Sequence, residues 1–157
     1  MSANVHIQVE DFHVSDEIDA LAAGSAHIGA VATFTGYVRG DDGLTALTLE
    51  HYPGMTENEI AHIAAEAEKR WNLSAVTIIH RVGRMEVGAR IVLVAVASSH
   101  RAAAFEACEF LMDYLKTRAP FWKLEERAGN TGWVEAKRSD DAAAERWQEQ
   151  KVQRGKT

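Results

Sequence analysis

Apolar and polar positions change period several times along the chain, and each change marks an element. Gly29-Ala-Val-Ala-Thr-Phe-Thr-Gly-Tyr-Val-Arg39 is rich in β-branched and aromatic residues and reads as a strand. Gly40-Asp-Asp-Gly43 is a turn signal, because Asp and Gly accept the backbone angles a turn needs. Leu47 and Leu49 then alternate with Thr48 and Glu50, giving a half-buried strand expected to form a hairpin with the first. His51-Tyr-Pro-Gly-Met55 breaks it. Thr56 and Glu59 form a capping-box pattern, and Ile60, Ile63, Ala64, Ala67 and Trp71 follow at helical spacing.

Val76, Ile78 and Val82 alternate as in a further strand. Arg90 to Ala97 is almost continuously apolar, which predicts burial on both faces, and Gly83 to Gly88 connects the two. Ser98 or Ser99 is placed to cap a long helix from about Arg101 to Arg118, with the stripe Ala104, Phe105, Cys108, Leu111, Met112 and Leu115. Pro120 ends it, since the residue before a proline resists helical angles. Phe121 to Glu126 and Trp133 to Lys137 read as strands joined by Gly129-Asn-Thr-Gly132, and Ser139 caps a last polar helix carrying Trp147. Strands and helices do not alternate as βαβ units would and no repeat is visible. The expectation is α+β with a mostly antiparallel sheet and packed helices, one domain over 1–147 and a polar tail over 148–157.

Composition narrows the class. The chain has 157 residues, 46% hydrophobic and 25% charged, which suits one globular domain with a hydrophobic core. No window approaches the ~18 consecutive apolar residues of a membrane span, so no membrane partner is expected. Met1-Ser-Ala-Asn-Val-His6 lacks the basic and apolar blocks of a secretory signal, and a single cysteine, Cys108, cannot form an intrachain disulfide. A cytoplasmic location is expected on both grounds. The net charge of −6, from 23 acidic and 17 basic residues, opposes a general nucleic-acid surface. Basic residues nevertheless crowd one central stretch, including Arg81, Arg84, Arg90, His100, Arg101, Lys116, Arg118, Lys123 and Arg127, so a local anion pocket is compatible with an acidic protein.

Candidate chemistry is densest at Lys116-Thr-Arg-Ala-Pro-Phe-Trp-Lys123. The proline break lets the helix end and the strand start fold towards each other. Two ammonium groups beside Phe121 and Trp122 would repel and be partly desolvated, which favours acid–base work or anion binding. Lys116 and Arg118 equally fit a plain complement to the negative helix C-terminus. His100-Arg101 opens a helix after a buried strand, where backbone N–H groups favour anions, though any capped helix start looks alike. Arg39 ends a strand before a turn, a place where a solvated arginine is also common. Cys108 lies mid-helix on the apolar stripe, far from an N-terminus that would stabilise a thiolate, and reads as core. The seven histidines show no metal-ligand spacing, and no phosphate loop, dinucleotide fingerprint or Gly-x-Ser-x-Gly is present, so no metal and no cofactor are expected.

Several runs resemble the large, catalytic subunits of molybdopterin synthase. They are Gly29-Ala-Val-Ala-Thr-Phe-Thr-Gly36 with Val38-Arg39, Leu47-Thr-Leu-Glu-His-Tyr-Pro-Gly-Met55, His80-Arg-Val-Gly83, Ser99-His-Arg101 and Phe105-Glu-Ala107. Met112-Asp-Tyr-Leu-Lys-Thr-Arg-Ala-Pro-Phe-Trp-Lys123 and Trp133-Val-Glu135 complete a match in order and at compatible spacing over about residues 28 to 147. The resemblance implies a hammerhead-like fold and a homodimer that binds two small ubiquitin-like sulfur-carrier subunits, giving a heterotetramer. Each small subunit presents a Gly-Gly tail ending in a thiocarboxylate. The substrate is cyclic pyranopterin monophosphate (precursor Z), and two sulfur transfers create the dithiolene of molybdopterin. An external donor makes a reactive cysteine unnecessary.

Carried over by position, Lys116 matches a lysine for acid–base work, and Lys123 one that stabilises developing negative charge and holds the pterin intermediate. Arg39, His100 and Arg101 match residues that bind the substrate's anionic end, with contributions across the dimer interface among the options. Phe34 and Met112 would form an apolar wall, and Glu125 would orient Lys123. The Gly40–Gly43 turn is short where many relatives have a longer loop. Lys137 stands where relatives often have arginine, which would lose bidentate phosphate binding. Residues 148–157 lie beyond the match. Two other readings compete: a non-catalytic dimeric module that docks a ubiquitin-like tail, and a phosphoryl-handling enzyme, which the lack of a metal-binding carboxylate cluster disfavours.

Overall fold

Two four-stranded sheets divide the chain between them in the computed structural model, which describes residues 3–128, 130–134 and 143–148. In chain order the elements are β1 (Asn4–Gln8), α1 (Val14–Ala22), β2 (Ala30–Tyr37), β3 (Leu44–His51), α2 (Met55–Arg70) and β4 (Leu73–Arg81). They continue with β5 (Gly83–Glu86), β6 (Arg90–Ser98), α3 (Arg101–Arg118), β7 (Phe121–Arg127) and β8 (Asn130–Val134). A single 3-10 turn covers Asp41–Gly43, where Asp42 takes φ 56°, and a short helix covers 143–148.

The first sheet runs β1-β4-β6-β2, with β1 parallel to β4 and the other pairs antiparallel. Val92 to Ser98 of β6 are all buried, as the unbroken apolar run predicts, because α2 and α3 cover one face and α1 the other. On the first face Ile60, Ile63, Ala64 and Ala67 of α2 and Ala104, Ala107, Leu111 and Leu115 of α3 meet Val92, Val94 and Val96. Trp71, Phe110 and Trp147 pack edge to face at the far end of this core, with ring centroids 5.3 to 5.9 Å apart. The second sheet runs β5-β3-β7-β8, all antiparallel, and joins the first through Val38, Leu47, Leu49 and Met85.

The α+β, mostly antiparallel expectation holds, with local corrections. β2 and β3 form no hairpin: β2 pairs with β6 while β3 pairs with β5 and β7 in the other sheet. The turn between them therefore carries the chain from sheet to sheet. The Gly83–Gly88 connector contains a strand, because Met85 fills the inter-sheet core opposite Leu47. β4 buries Val76 to Ile79 on both faces instead of alternating. The α2 cap lies earlier than Thr56: the Glu57 carboxylate accepts from the Gly54 N–H, and Thr56 is buried. Neither Ser98 nor Ser99 caps α3. His100 is its N-cap without a side-chain bond, and the Ser98 hydroxyl turns to the Asn72 carbonyl. Phe105 is exposed despite its place in the stripe. β8 begins at Asn130, earlier than Trp133. Residues 135–137, with Lys137, and Ser139 lie outside the described residues, as does the tail beyond Gln148.

Candidate active site

Both lysines are delivered to one corner, where the end of α3 turns into β7. Pro120 forces the turn, and the corner is pinned by Thr56, whose buried hydroxyl donates to the Pro120 carbonyl at 3.1 Å and accepts from the Tyr52 N–H at 2.9 Å. Lys116 is exposed on the last turn of α3, and Met112, four residues before it, shares its side of the helix. No carboxylate pairs with Lys116 among the described residues. Arg118 behaves differently: it bonds Glu66 at 3.1 Å and lies 3.6 Å from Glu59, both on α2. The helix-end charge is thus complemented by Arg118, and Lys116 is left to the corner. Lys123 is half-buried and stands opposite Leu49 in the β3–β7 register, on the face that carries the inter-sheet core.

The corner is lined by aromatic and imidazole rings. His80, at the end of β4, stacks on Phe121 with centroids 3.8 Å apart and planes 17° apart, and its Nδ1 lies 2.9 Å from the Arg81 carbonyl. Burial is the main cause pushing the His80 pKa down to about 4; the Arg81 carbonyl opposes it, and the Lys116 ammonium and His51 add to it. His51, paired with Phe121 across β3 and β7, lies 3.1 Å through Nε2 from the Glu57 carboxylate. Burial pushes the Glu57 carboxyl up, but backbone N–H bonds and the His51 ring hold it below its ordinary value. Glu125 shares the Lys123 face of β7 and bonds the Arg127 guanidinium.

The anion-binding candidates do not come together within one chain. Arg39 follows β2 at the end where Tyr37 pairs with Arg90, and it pairs with Asp41 at 2.6 Å. His100 and Arg101 open α3 at the other end, where Ala30 pairs with Ser98. Gly29 packs so closely there that a Cβ on it would lie 2.2 Å from the Ser99 carbonyl oxygen. Along α3, Arg101 and Lys116 are separated by about 22 Å at the helical rise of ~1.5 Å per residue. Phe34, 41% exposed, lies midway along β2 on the α3 face of the sheet, opposite Val94. Cys108 is buried against β6, and burial pushes its thiol up to about 11. Among the described residues no group of His, Cys, Asp or Glu is placed to hold a metal, and no helix is long and apolar enough to cross a membrane.

The family model described as MoaE protein matches residues 7–118. The chain belongs to the MoaE family. The molybdopterin synthase catalytic subunit of Mesorhizobium japonicum is 57% identical over 150 residues, 94% of each chain. Among solved structures, molybdopterin cofactor biosynthesis protein E from Burkholderia multivorans has a TM-score of 0.82 at 50% identity, covering 94% of this chain and 97% of its own. A chain in the complex of subunits 1 and 2 of the Helicobacter pylori molybdopterin-converting factor has a TM-score of 0.72 at 19% identity, covering 83% and 90%, a likeness of fold alone.

Within this MoaE fold, sequence reasoning gave no role to His51, Glu57 or His80. His51 and His80 stood in runs that carried the resemblance, yet a histidine at a strand end has no distinctive spacing. Only the meeting of β3, β4 and β7 at Phe121 shows that both rings face the lysine corner.

Proposed function

We infer that the chain works as the catalytic subunit of molybdopterin synthase, transferring sulfur from a small partner subunit to a pterin precursor in molybdenum cofactor biosynthesis. The feature that supports this reading is the corner itself: Lys116, on the last turn of α3, and Lys123, on β7, flank one proline-forced turn whose Phe121 stacks on His80. The donor is the C-terminal Gly-Gly thiocarboxylate of a small ubiquitin-like sulfur-carrier subunit, and the acceptor is cyclic pyranopterin monophosphate (precursor Z). Two transfers complete the dithiolene. Cys108 is buried with a raised pKa, so the sulfur arrives on the partner and does not pass through this chain's thiol.

In this reading Lys116 moves protons beside the thiocarboxylate and the accepting carbons. Lys123, half-buried on the inter-sheet face, stabilises negative charge as it develops and holds the intermediate. Phe34 and Met112 form the apolar wall. Glu125, bonded to Arg127, orients Lys123 from the same face of β7, and Lys137 adds a cation for the phosphate. Arg39 binds the anionic end of the substrate at the lysine end of the molecule. His100 and Arg101 lie too far away in the same chain to join it, so they serve the site of a second copy. A two-fold arrangement that exchanges the two ends would bring His100 and Arg101 of one copy beside Arg39 and Lys116 of the other. The working unit is then a homodimer carrying two small subunits, in the cytoplasm, with no nucleic acid or membrane partner.

The test is reconstitution from purified chain, thiocarboxylated small subunit and precursor Z, with molybdopterin read as its fluorescent oxidised derivative. Lys116→Ala and Lys123→Ala are each expected to lose at least ~10²-fold in rate, the scale of a lost proton-transfer or charge-stabilising group. Product surviving both substitutions would remove the lysine mechanism. Partner binding without any product from the wild type would leave a docking module instead.

A further inference from the structure

The groove between α2 and α3 holds a cation that the fold leaves without a counter-ion. The Arg70 guanidinium, on the last turn of α2, lies over the Phe110 ring at 5.0 Å, Trp71 at 5.7 Å and Trp147 at 5.9 Å. Its Nη2 donates to the Trp147 carbonyl at 2.8 Å. No carboxylate pairs with Arg70 among the described residues, and its Nε and Nη1 find no acceptor there. Arg118, the other guanidinium of the groove, is already neutralised: it bonds Glu66 at 3.1 Å and lies 3.6 Å from Glu59. Ring contacts offset only part of the cost of desolvating a half-buried guanidinium, and an anion would complete the balance.

The groove has room for one. Its cavity of about 490 Å³ lies within the ~300–1,000 Å³ of small-molecule sites. Glu66, Lys69 and Arg70 of α2 and Phe110, Tyr114 and Arg118 of α3 line it, whereas Lys116 and Lys123 do not. The Phe110 and Tyr114 rings, one helical turn apart with centroids 4.7 Å apart, make an apolar floor. Tyr114 is only 6% exposed, yet its hydroxyl bonds no described residue. Since no buried side-chain oxygen there lacks a partner, that hydroxyl is open to the cavity.

We propose that the α2–α3 groove is a second ligand site, for a planar heterocycle carrying a phosphate. Arg70 and Lys69 take the phosphate, whose two charges suit a fixed planar fork beside a mobile ammonium. The ring lies against the Phe110–Tyr114 floor, with its polar edge in reach of the Tyr114 hydroxyl. A bare phosphate would leave most of the volume empty. Glu66 does not oppose the anion, because Arg118 holds its charge.

The probe is GMP, titrated into the full ¹⁵N-labelled chain and followed by amide shifts and calorimetry. Saturable shifts are expected over residues 66–70 and 110–118, with inorganic phosphate at least ~tenfold weaker. Arg70→Ala should weaken GMP by ~tenfold or more, the scale of a lost charge-assisted pair. Tyr114→Phe keeps the ring in the core, so its thermal unfolding should barely move while GMP weakens severalfold. Lys116→Ala should bind GMP like the wild type. No saturable shift in the groove up to about 5 mM GMP, or an affinity indifferent to both Arg70→Ala and Tyr114→Phe, would overturn the site. So would binding that is lost in Lys116→Ala with shifts at the start of β7, since GMP would then occupy the transfer corner. Equal affinities for GMP and inorganic phosphate would overturn the heterocycle.

Discussion

At the scale of single residues, burial sorts the reactive side chains from the inert ones. Cys108 packs with its sulfur 3.9 Å from the Val94 carbonyl, and its thiol is pushed up to about 11. Cys108→Ala is therefore expected to retain sulfur transfer within about twofold and to lose ~1 kcal/mol of stability. Loss of activity in a folded variant, measured in the reconstituted assay, would contradict an external sulfur source. Burial acts on His80 as well, and there it makes stability depend on pH. Its folded pKa near 4 lies below the ordinary 6.5, so the unfolded chain binds the proton more readily between those values. The stability gained by a neutral His80 is complete above about pH 6.5 and is lost as pH falls towards 4. Urea unfolding at pH 7 and pH 4.5 should show a loss in the wild type that shrinks by roughly 1–3 kcal/mol in His80→Phe. Cys108 was legible from its place in an apolar stripe. His80 was not, since its environment is made by residues from β7 and α3 that no local pattern links to it.

At the scale of elements, helices and buried strands were legible because their period is local. α2, α3 and β6 lie close to where their apolar spacing put them. Pairing was not legible. β2 and β3 adjoin in sequence across a short turn, the usual mark of a hairpin, yet Val38 and Leu49 meet across two sheets. β5 is four residues long, too short for a period to register, and its Met85 belongs to the same inter-sheet core. The lysine corner depends on one such long-range contact. Thr56→Val would leave the Tyr52 N–H and the Pro120 carbonyl without their hydroxyl partner. It is expected to cost about 1–3 kcal/mol in chemical denaturation. At the opposite end, Gly29→Ala drives a Cβ into the Ser99 carbonyl and must displace the start of α3. A loss of about 1–3 kcal/mol is expected there, with a raised KM for precursor Z, because His100 and Arg101 move with the helix.

At the scale of the whole molecule, the candidate residues divide between two ends. Arg39 follows the end of β2 and Lys116 sits on the last turn of α3, whereas His100 and Arg101 open α3 where β2 begins. Sequence order could name all of them but not their separation, which follows only from α3 running back along β6 and β2. A transfer site assembled from two copies reconciles the residue set with that distance. The decisive measurement mixes equal amounts of Lys116→Ala and Arg101→Ala chains, each nearly inactive alone, and assays molybdopterin after subunit exchange. If each site takes Lys116 from one copy and Arg101 from the other, half the dimers are mixed and each mixed dimer has one intact site. Activity should then return to about a quarter of the wild-type value. If both residues served one chain's own site, every mixed dimer would carry two defective sites. Activity remaining at the level of the separate variants, with mixed dimers demonstrably formed, would contradict the shared site.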